Sequence, residues 1–126
     1  MALSNNEMKI LAACKSAIES IDAAAEVVLY GSRARGDATE ESDYDLLIIS
    51  DSQVTIEAED RFRRALYDIQ LETASVITVL MVNRDQWDAP LSRAMPLHQN
   101  IERDGFVVTA YRTDKIKEGE RIWPAP

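Results

Sequence analysis

The spacing of apolar residues divides the chain into segments with helical periodicity and shorter segments typical of strands. Apolar residues that recur at helical spacing predict three helices, over residues 5–22, 55–73 and 90–104. Runs rich in Val and Ile, bounded by glycine or polar residues, predict four strands, over residues 27–30, 43–49, 75–82 and 106–110. The third helix must begin at Pro96 or be divided there, because proline lacks the N–H that a helix interior needs.

The order of these elements predicts an α/β (α+β) domain, in which a mixed sheet of about four strands carries helices on at least one face. A chain of 126 residues can bury one two-layer core. We therefore expect a single domain over residues 1–126, with a polar tail from about residue 111 to residue 126. Trp123 in that tail can pack on the domain or on a partner.

Some single residues carry expectations of their own. Leu97 and Ile101 are expected to face the core, and Trp87 is expected to be a packing residue. His98, the one histidine, is expected at the surface or half-buried. The one cysteine, Cys14, lies within the first helical pattern, where a reduced and buried side chain is the ordinary outcome.

The charge balance narrows the classes of partner. The chain carries 14 Lys and Arg against 22 Asp and Glu, a formal net charge of -8. Nucleic-acid binding depends on Lys and Arg that neutralise phosphates, so we do not expect a broad DNA- or RNA-binding surface, and a basic partner is favoured. The sequence shows neither a signal peptide nor an apolar run of about 18 residues. We therefore expect a cytoplasmic protein with no membrane-bound part.

Candidate chemistry is concentrated in residues 31–49, which begin with a glycine-serine turn after the first predicted strand. Gly31 and Ser32, at the start of a possible helical turn, offer backbone N–H groups, a hydroxyl and room for a phosphate to approach closely. Arg33 and Arg35 add permanently charged donors that can reach a phosphate or stay on a solvated turn. Arg35 is the better candidate for the phosphate contact.

Two carboxylates follow this turn at the start of the second predicted strand. Asp43 and Asp45 are two residues apart, so in a strand their side chains point to the same side, roughly 7 Å from each other. Carboxylate oxygens at this spacing suit Mg²⁺ bound together with a nucleoside triphosphate. The pattern therefore indicates a site for magnesium and a nucleotide.

The same stretch resembles a known family. Gly31-Ser32, followed after ten residues by Asp43-Tyr44-Asp45-Leu46, is similar to the signature of the polymerase-β-type nucleotidyltransferases. With the fuller segments Gly-Ser-Arg-Ala-Arg-Gly at 31–36 and Ser-Asp-Tyr-Asp-Leu at 42–46, it resembles the minimal nucleotidyltransferases, small domains often paired with a HEPN-domain toxin.

The resemblance implies a role for each matching position. Gly31 and Ser32 would hold the nucleotide phosphates, Arg35 would support that loop, and Asp43 and Asp45 would ligate two Mg²⁺ ions. The implied reaction moves an NMP group, AMP in the first instance, from a nucleoside triphosphate such as ATP to a hydroxyl on a partner protein. A HEPN-domain partner would make the protein an antitoxin.

One position departs from the family pattern. A third carboxylate normally lies on a later strand, but the best-matching position here is Thr78, and residues 75–82 contain no acid. Threonine supplies neither negative charge nor basicity at neutral pH. Glu72 or Asp85 could substitute from either end of that strand. Two alternatives therefore stay open: a catalytically degenerate interaction module, and, with weaker support, an enzyme that modifies a cationic small molecule such as an aminoglycoside.

Overall fold

The computed structural model describes residues 3–39 and 41–109 and the backbone of residues 113–115. The predicted tail beyond these residues, with Trp123, lies outside the described part. The helices are α1 (Asn5–Glu19), α2 (Ser32–Arg35), α3 (Ile56–Thr73), α4 (Arg84–Asp88), α5 (Pro90–Arg93) and α6 (Pro96–Asp104). The strands are β1 (Glu26–Tyr30), β2 (Tyr44–Ser50), β3 (Ile77–Asn83), β4 (Phe106–Val108) and β5 (Thr113–Lys115).

The strands form one sheet in the order β3-β2-β1-β4-β5. β1 is antiparallel to both of its neighbours, β2 and β4, whereas β2 and β3 are parallel. The predicted α/β class with a mixed sheet is confirmed. The described sheet has one strand more than expected, because the three-residue β5 pairs antiparallel with β4.

Local sequence signals explain where α1 and α2 begin. Ser4 caps α1, and its hydroxyl accepts a hydrogen bond from the Glu7 amide while the Glu7 carboxylate accepts one from the Ser4 amide. This reciprocal pair satisfies amides that have no acceptor within the helix. The single turn of α2 is bounded by Gly31 and Gly36, whose φ angles of 77° and 83° are positive.

The sheet has a different core on each face, because successive strand residues point to opposite sides. α1 and α3 cover the first face, where Leu11, Phe62 and Leu46 belong to the larger cluster of buried side chains. The second face has a smaller cluster, in which Leu47 and Ile49 of β2 pack with Trp87 and Ile101. We refer to this side of the sheet, which also bears Asp45 two residues before Leu47, as the second face.

The helical region after β3 departs in part from the sequence-based expectations. Pro96 begins α6, and residues 90–104 are divided into α5 and α6. Leu97 was expected to face the core, but 45% of it is exposed; Ile101 is buried as expected. The reason is that α6 starts only at Pro96, so its inward side is formed by His98 and Ile101, one turn apart.

His98 is not at the surface, as the sequence had suggested, but only 1% exposed. Its ring stacks on Trp87, with 4.1 Å between ring centroids and 15° between planes, and Ser92 lies within hydrogen-bonding distance of its Nδ1. Trp87 is buried, as expected for a packing residue. The pair fills the space over the second face beside Ile101, a structural role for the one histidine.

Cys14 is a free thiol in the larger core, where burial raises its pKa to about 12. The side chain therefore stays protonated at neutral pH and packs as a small apolar group. Among the described residues, no helix has the length and apolar character needed to cross a membrane.

Candidate active site

Three segments that are distant in sequence meet at one edge of the sheet. β1 ends at Tyr30 and is followed by Gly31, and because β1 and β2 are antiparallel, Tyr30 pairs with Asp45 near the start of β2. β3 runs parallel to β2, so its second residue, Thr78, pairs with Asp45 from the other side. The topology thus places Gly31, Asp45 and Thr78 together, although only the first two belong to one sequence motif.

The carboxylate of Asp45 lies at the centre of this edge. Its Oδ1 accepts a hydrogen bond from the Thr78 hydroxyl at 2.6 Å. Its Oδ2 lies against Gly31, so close that a Cβ at position 31 would be 2.2 Å from it. Burial, and then the negative charge of Asp45, raise the pKa of Tyr30 on the neighbouring strand. The absence of a side chain at Gly31 therefore leaves room for the carboxylate of Asp45.

Asp43 lies immediately before β2 and is exposed. The extended pairing reaches Tyr44, whose amide donates to the carbonyl of Val76 at 2.8 Å, and the Tyr44 ring is buried in the larger core. Because alternate residues of an extended chain point to opposite sides, we expect Asp43, the residue before Tyr44, to share the side of Asp45. The shared side of the two carboxylates stays a prediction, since only Asp45 lies within β2.

No third carboxylate joins them in the described residues. Thr78 occupies the facing position on β3, and no cluster of three or more His, Cys, Asp or Glu side chains suited to a metal occurs in residues 3–39 and 41–109. Asp85 follows the opposite end of β3, roughly 20 Å away along the strand. Glu72 is an exposed residue of α3, which packs on the other face of the sheet. Neither therefore replaces the missing acid.

The donor set can be compared with what a hard cation needs. Asp43 and Asp45 present carboxylate oxygens, the ligand type that Mg²⁺ prefers, and phosphate oxygens and waters commonly complete its octahedral shell. One oxygen of Asp45 is already engaged by Thr78. Two carboxylates and a neutral hydroxyl fit one Mg²⁺ carried by a triphosphate, and they are a sparse set for two ions.

The two arginines of α2 have different environments, and the more exposed of them is Arg35, which the sequence analysis preferred for a phosphate contact. Arg35 is 49% exposed and pairs with Asp37 at 3.5 Å in solvent, so it remains available for a ligand. Arg33 is only 9% exposed and contacts Glu7, the Ser42 carbonyl and the ring of Tyr44. No local signal predicts this, because Glu7 lies 26 residues earlier in the chain.

A comparison of the sequence with models of known protein families finds a family to which this chain is similar. The family model of the nucleotidyltransferase domain matches residues 8–102, which include all the segments that form the edge described above. A comparison with curated proteins finds no significant match. Residues 8–102 are most of the 126-residue chain. The chain therefore belongs to the nucleotidyltransferase domain family.

Proposed function

We propose that the protein transfers an NMP group, AMP in the first instance, from MgATP to a hydroxyl of a partner protein. The observation that carries this proposal is the position of Asp45, fixed between Gly31 and Thr78 with Asp43 two residues before it, within a chain of the nucleotidyltransferase family. Family membership supports a nucleoside triphosphate as substrate. The choice of ATP and of a protein acceptor belongs to our proposal.

In this proposal Gly31, Ser32 and Arg35 bind the phosphates. Asp43 and Asp45 hold Mg²⁺, which would offset the charge of the triphosphate and polarise the α-phosphate. The acceptor oxygen forms a bond to the α-phosphorus, the bond from that phosphorus to the bridging oxygen breaks, and pyrophosphate leaves with the electron pair. The acceptor's proton passes to water, since Thr78 is not a base at neutral pH.

A second candidate function is favoured by Thr78. Without a third carboxylate, the general-base step and the binding of a second ion are weakened, so the domain can serve as an interaction module that binds a partner with little or no catalysis. The Thr78 hydroxyl donates a hydrogen bond to Oδ1 of Asp45, so it occupies one oxygen of that carboxylate and adds no negative charge to the site. Isothermal titration calorimetry with MgATP distinguishes the two candidates. The enzyme binds MgATP and gives heat of binding, whereas an interaction module that binds no nucleotide gives none, although it still forms the complex with its partner.

The partner we propose is a HEPN-domain toxin, for which this protein would be the antitoxin. Family resemblance suggests it, and the net charge of -8 suits a basic surface on the partner. A reducing cytoplasm suits the free Cys14.

Transfer is measured with ATP labelled at the α-phosphate, incubated with Mg²⁺, the purified protein and the candidate partner. We expect label on the partner, and a loss of roughly 100-fold or more in the rate with Asp43→Ala, since an ion that stabilises transition-state charge loses a ligand. Asp68→Ala, which removes an exposed carboxylate from α3, is the matched control. Equal labelling by wild type and Asp43→Ala would refute the role of Asp43, and an unlabelled partner would refute this acceptor.

A further inference from the structure

We infer that Arg33 is a positioning residue that holds Asp43 in place through both of its neighbours. This role rests on the proposed function of Asp43 as a metal ligand. The Arg33 guanidinium donates two hydrogen bonds to the carbonyl of Ser42, at 3.1 Å from Nε and 2.7 Å from Nη2. It also lies 3.9 Å from the centroid of the Tyr44 ring. Asp43 is the residue between these two contacts.

The other side of the guanidinium is anchored in α1. Nη1 of Arg33 donates to Oε2 of Glu7 at 2.9 Å, while Oε1 of Glu7 accepts from the Ser4 amide at 2.9 Å. Burial alone would raise the pKa of Glu7, but the hydrogen bonds from Ser4 and Arg33 outweigh it and lower the pKa. Glu7 thus stays ionised at neutral pH, and the segment that bears Asp43 is tied to the capped first turn of α1.

This geometry needs arginine rather than any cation. A planar fork can donate two bonds to one carbonyl, a third to a carboxylate, and still stack on an aromatic ring, whereas a lysine ammonium cannot do all of these together. The described contacts between Thr39 and Ser42 close the loop on itself: the Thr39 amide donates to Ser42 Oγ at 2.9 Å, the Ser42 amide donates to the Thr39 carbonyl at 3.1 Å, and the two hydroxyls are 3.4 Å apart. Arg33, by contrast, connects this loop to α1 through Glu7, so we expect the position of Asp43 relative to the rest of the domain to depend on it.

The contacts of Arg33 support Asp43 but not Asp45. The contacts of Asp45 are with Thr78 and Gly31, none of them shared with Arg33, and Asp45 lies within the paired part of β2. Loss of Arg33 should therefore loosen Asp43 and leave Asp45 ordered. A side chain with a merely structural role would lower the stability of the whole domain without this selective effect.

The test compares wild type with Arg33→Met and Arg33→Lys in the full chain by backbone amide relaxation. We expect order parameters at residues 42 and 43 to fall from about 0.85 to below about 0.6 in Arg33→Met, and to intermediate values in Arg33→Lys, with the amides of β2 unchanged. Arg63→Met is the matched control, because Arg63 is 51% exposed and its ion pairs within the described part of the chain are with Glu59 and Asp60 on its own helix. Unchanged order at residues 42 and 43 in a folded Arg33 variant would overturn the inference.

A second measurement separates this inference from the proposed function. We expect Arg33→Met to weaken Mn²⁺–ATP binding about 10-fold, about 1.4 kcal/mol, and Arg33→Lys to restore part of it. If wild type does not bind Mn²⁺–ATP, the proposed function fails, and the order parameters still decide the role of Arg33. If Arg33→Met does not fold, Arg33→Lys decides: wild-type order and affinity in that variant would contradict the inference.

Discussion

Asp45→Asn is expected to weaken MgATP binding by roughly 100-fold, a loss of about 3 kcal/mol, because a carboxylate at the centre of the site becomes neutral. Asparagine keeps the shape of aspartate, and its carbonyl oxygen can still accept the hydrogen bond from the Thr78 hydroxyl. The fold should therefore remain, and the change in affinity reports the charge. Isothermal titration calorimetry with MgATP measures it directly.

Asp68→Asn is the control for this prediction, since Asp68 is an exposed carboxylate on α3 and the substitution removes the same charge. We expect it to leave the affinity for MgATP unchanged. Equal affinities for wild type and Asp45→Asn would show that Asp45 is not a ligand of the metal–nucleotide complex. A parallel loss in Asp68→Asn would mean that only the overall charge matters.

Gly31→Ala is expected to destabilise the domain by about 3 kcal/mol and to weaken MgATP binding as well. The backbone at Gly31 has φ 77° and ψ -158°, a combination that almost only glycine adopts. The added Cβ would also lie 2.2 Å from Oδ2 and 3.1 Å from Cγ of Asp45, so the carboxylate must move. Urea unfolding gives the change in stability, and calorimetry on the folded variant gives the change in binding.

Gly36→Ala separates the two effects of the Gly31→Ala substitution, the strain of a positive φ angle and the clash of the added Cβ with Asp45. Gly36 has φ 83° and ψ 13°, the left-handed conformation, which costs alanine only about 1–2 kcal/mol. We expect a smaller loss of stability there and normal binding of MgATP. If both alanine variants bind MgATP like wild type, the contact between Gly31 and Asp45 has no part in the site.

The sequence predicted the fold class and the parts of the site that depend on local spacing. The Val- and Ile-rich runs identified β1, β2 and β3, and the glycine-serine turn and the acidic pair pointed to Gly31 and Asp45, which are in close contact. Thr78 was recognised only through the family pattern. Its pairing with Asp45 depends on the register of two parallel strands, which are 33 residues apart in sequence.

What could not be predicted depends on contacts between distant segments. The hydrogen bonds of Arg33 to Ser42 and Glu7 require that α1 and the loop before β2 lie close together. The periodicity of apolar residues carries no information about this proximity. The burial of His98 was missed for a similar reason, because its partner, Trp87, lies on another helix. The exposure of Leu97 followed from the start of α6 at Pro96, the boundary that the spacing alone left open.

The most direct test of the central claim is a map of the amide signals that Mn²⁺–ATP broadens in the wild-type protein. If Asp43 and Asp45 hold the metal of a bound nucleotide, the amides of Gly31, Ser32 and residues 43–45 broaden first, followed by Thr78. A separate cleft, lined by Asp51 and Asp85 among others near the opposite end of β3, provides an internal comparison. Broadening that centres on Asp51 and Asp85, or is equally weak everywhere, would contradict the account.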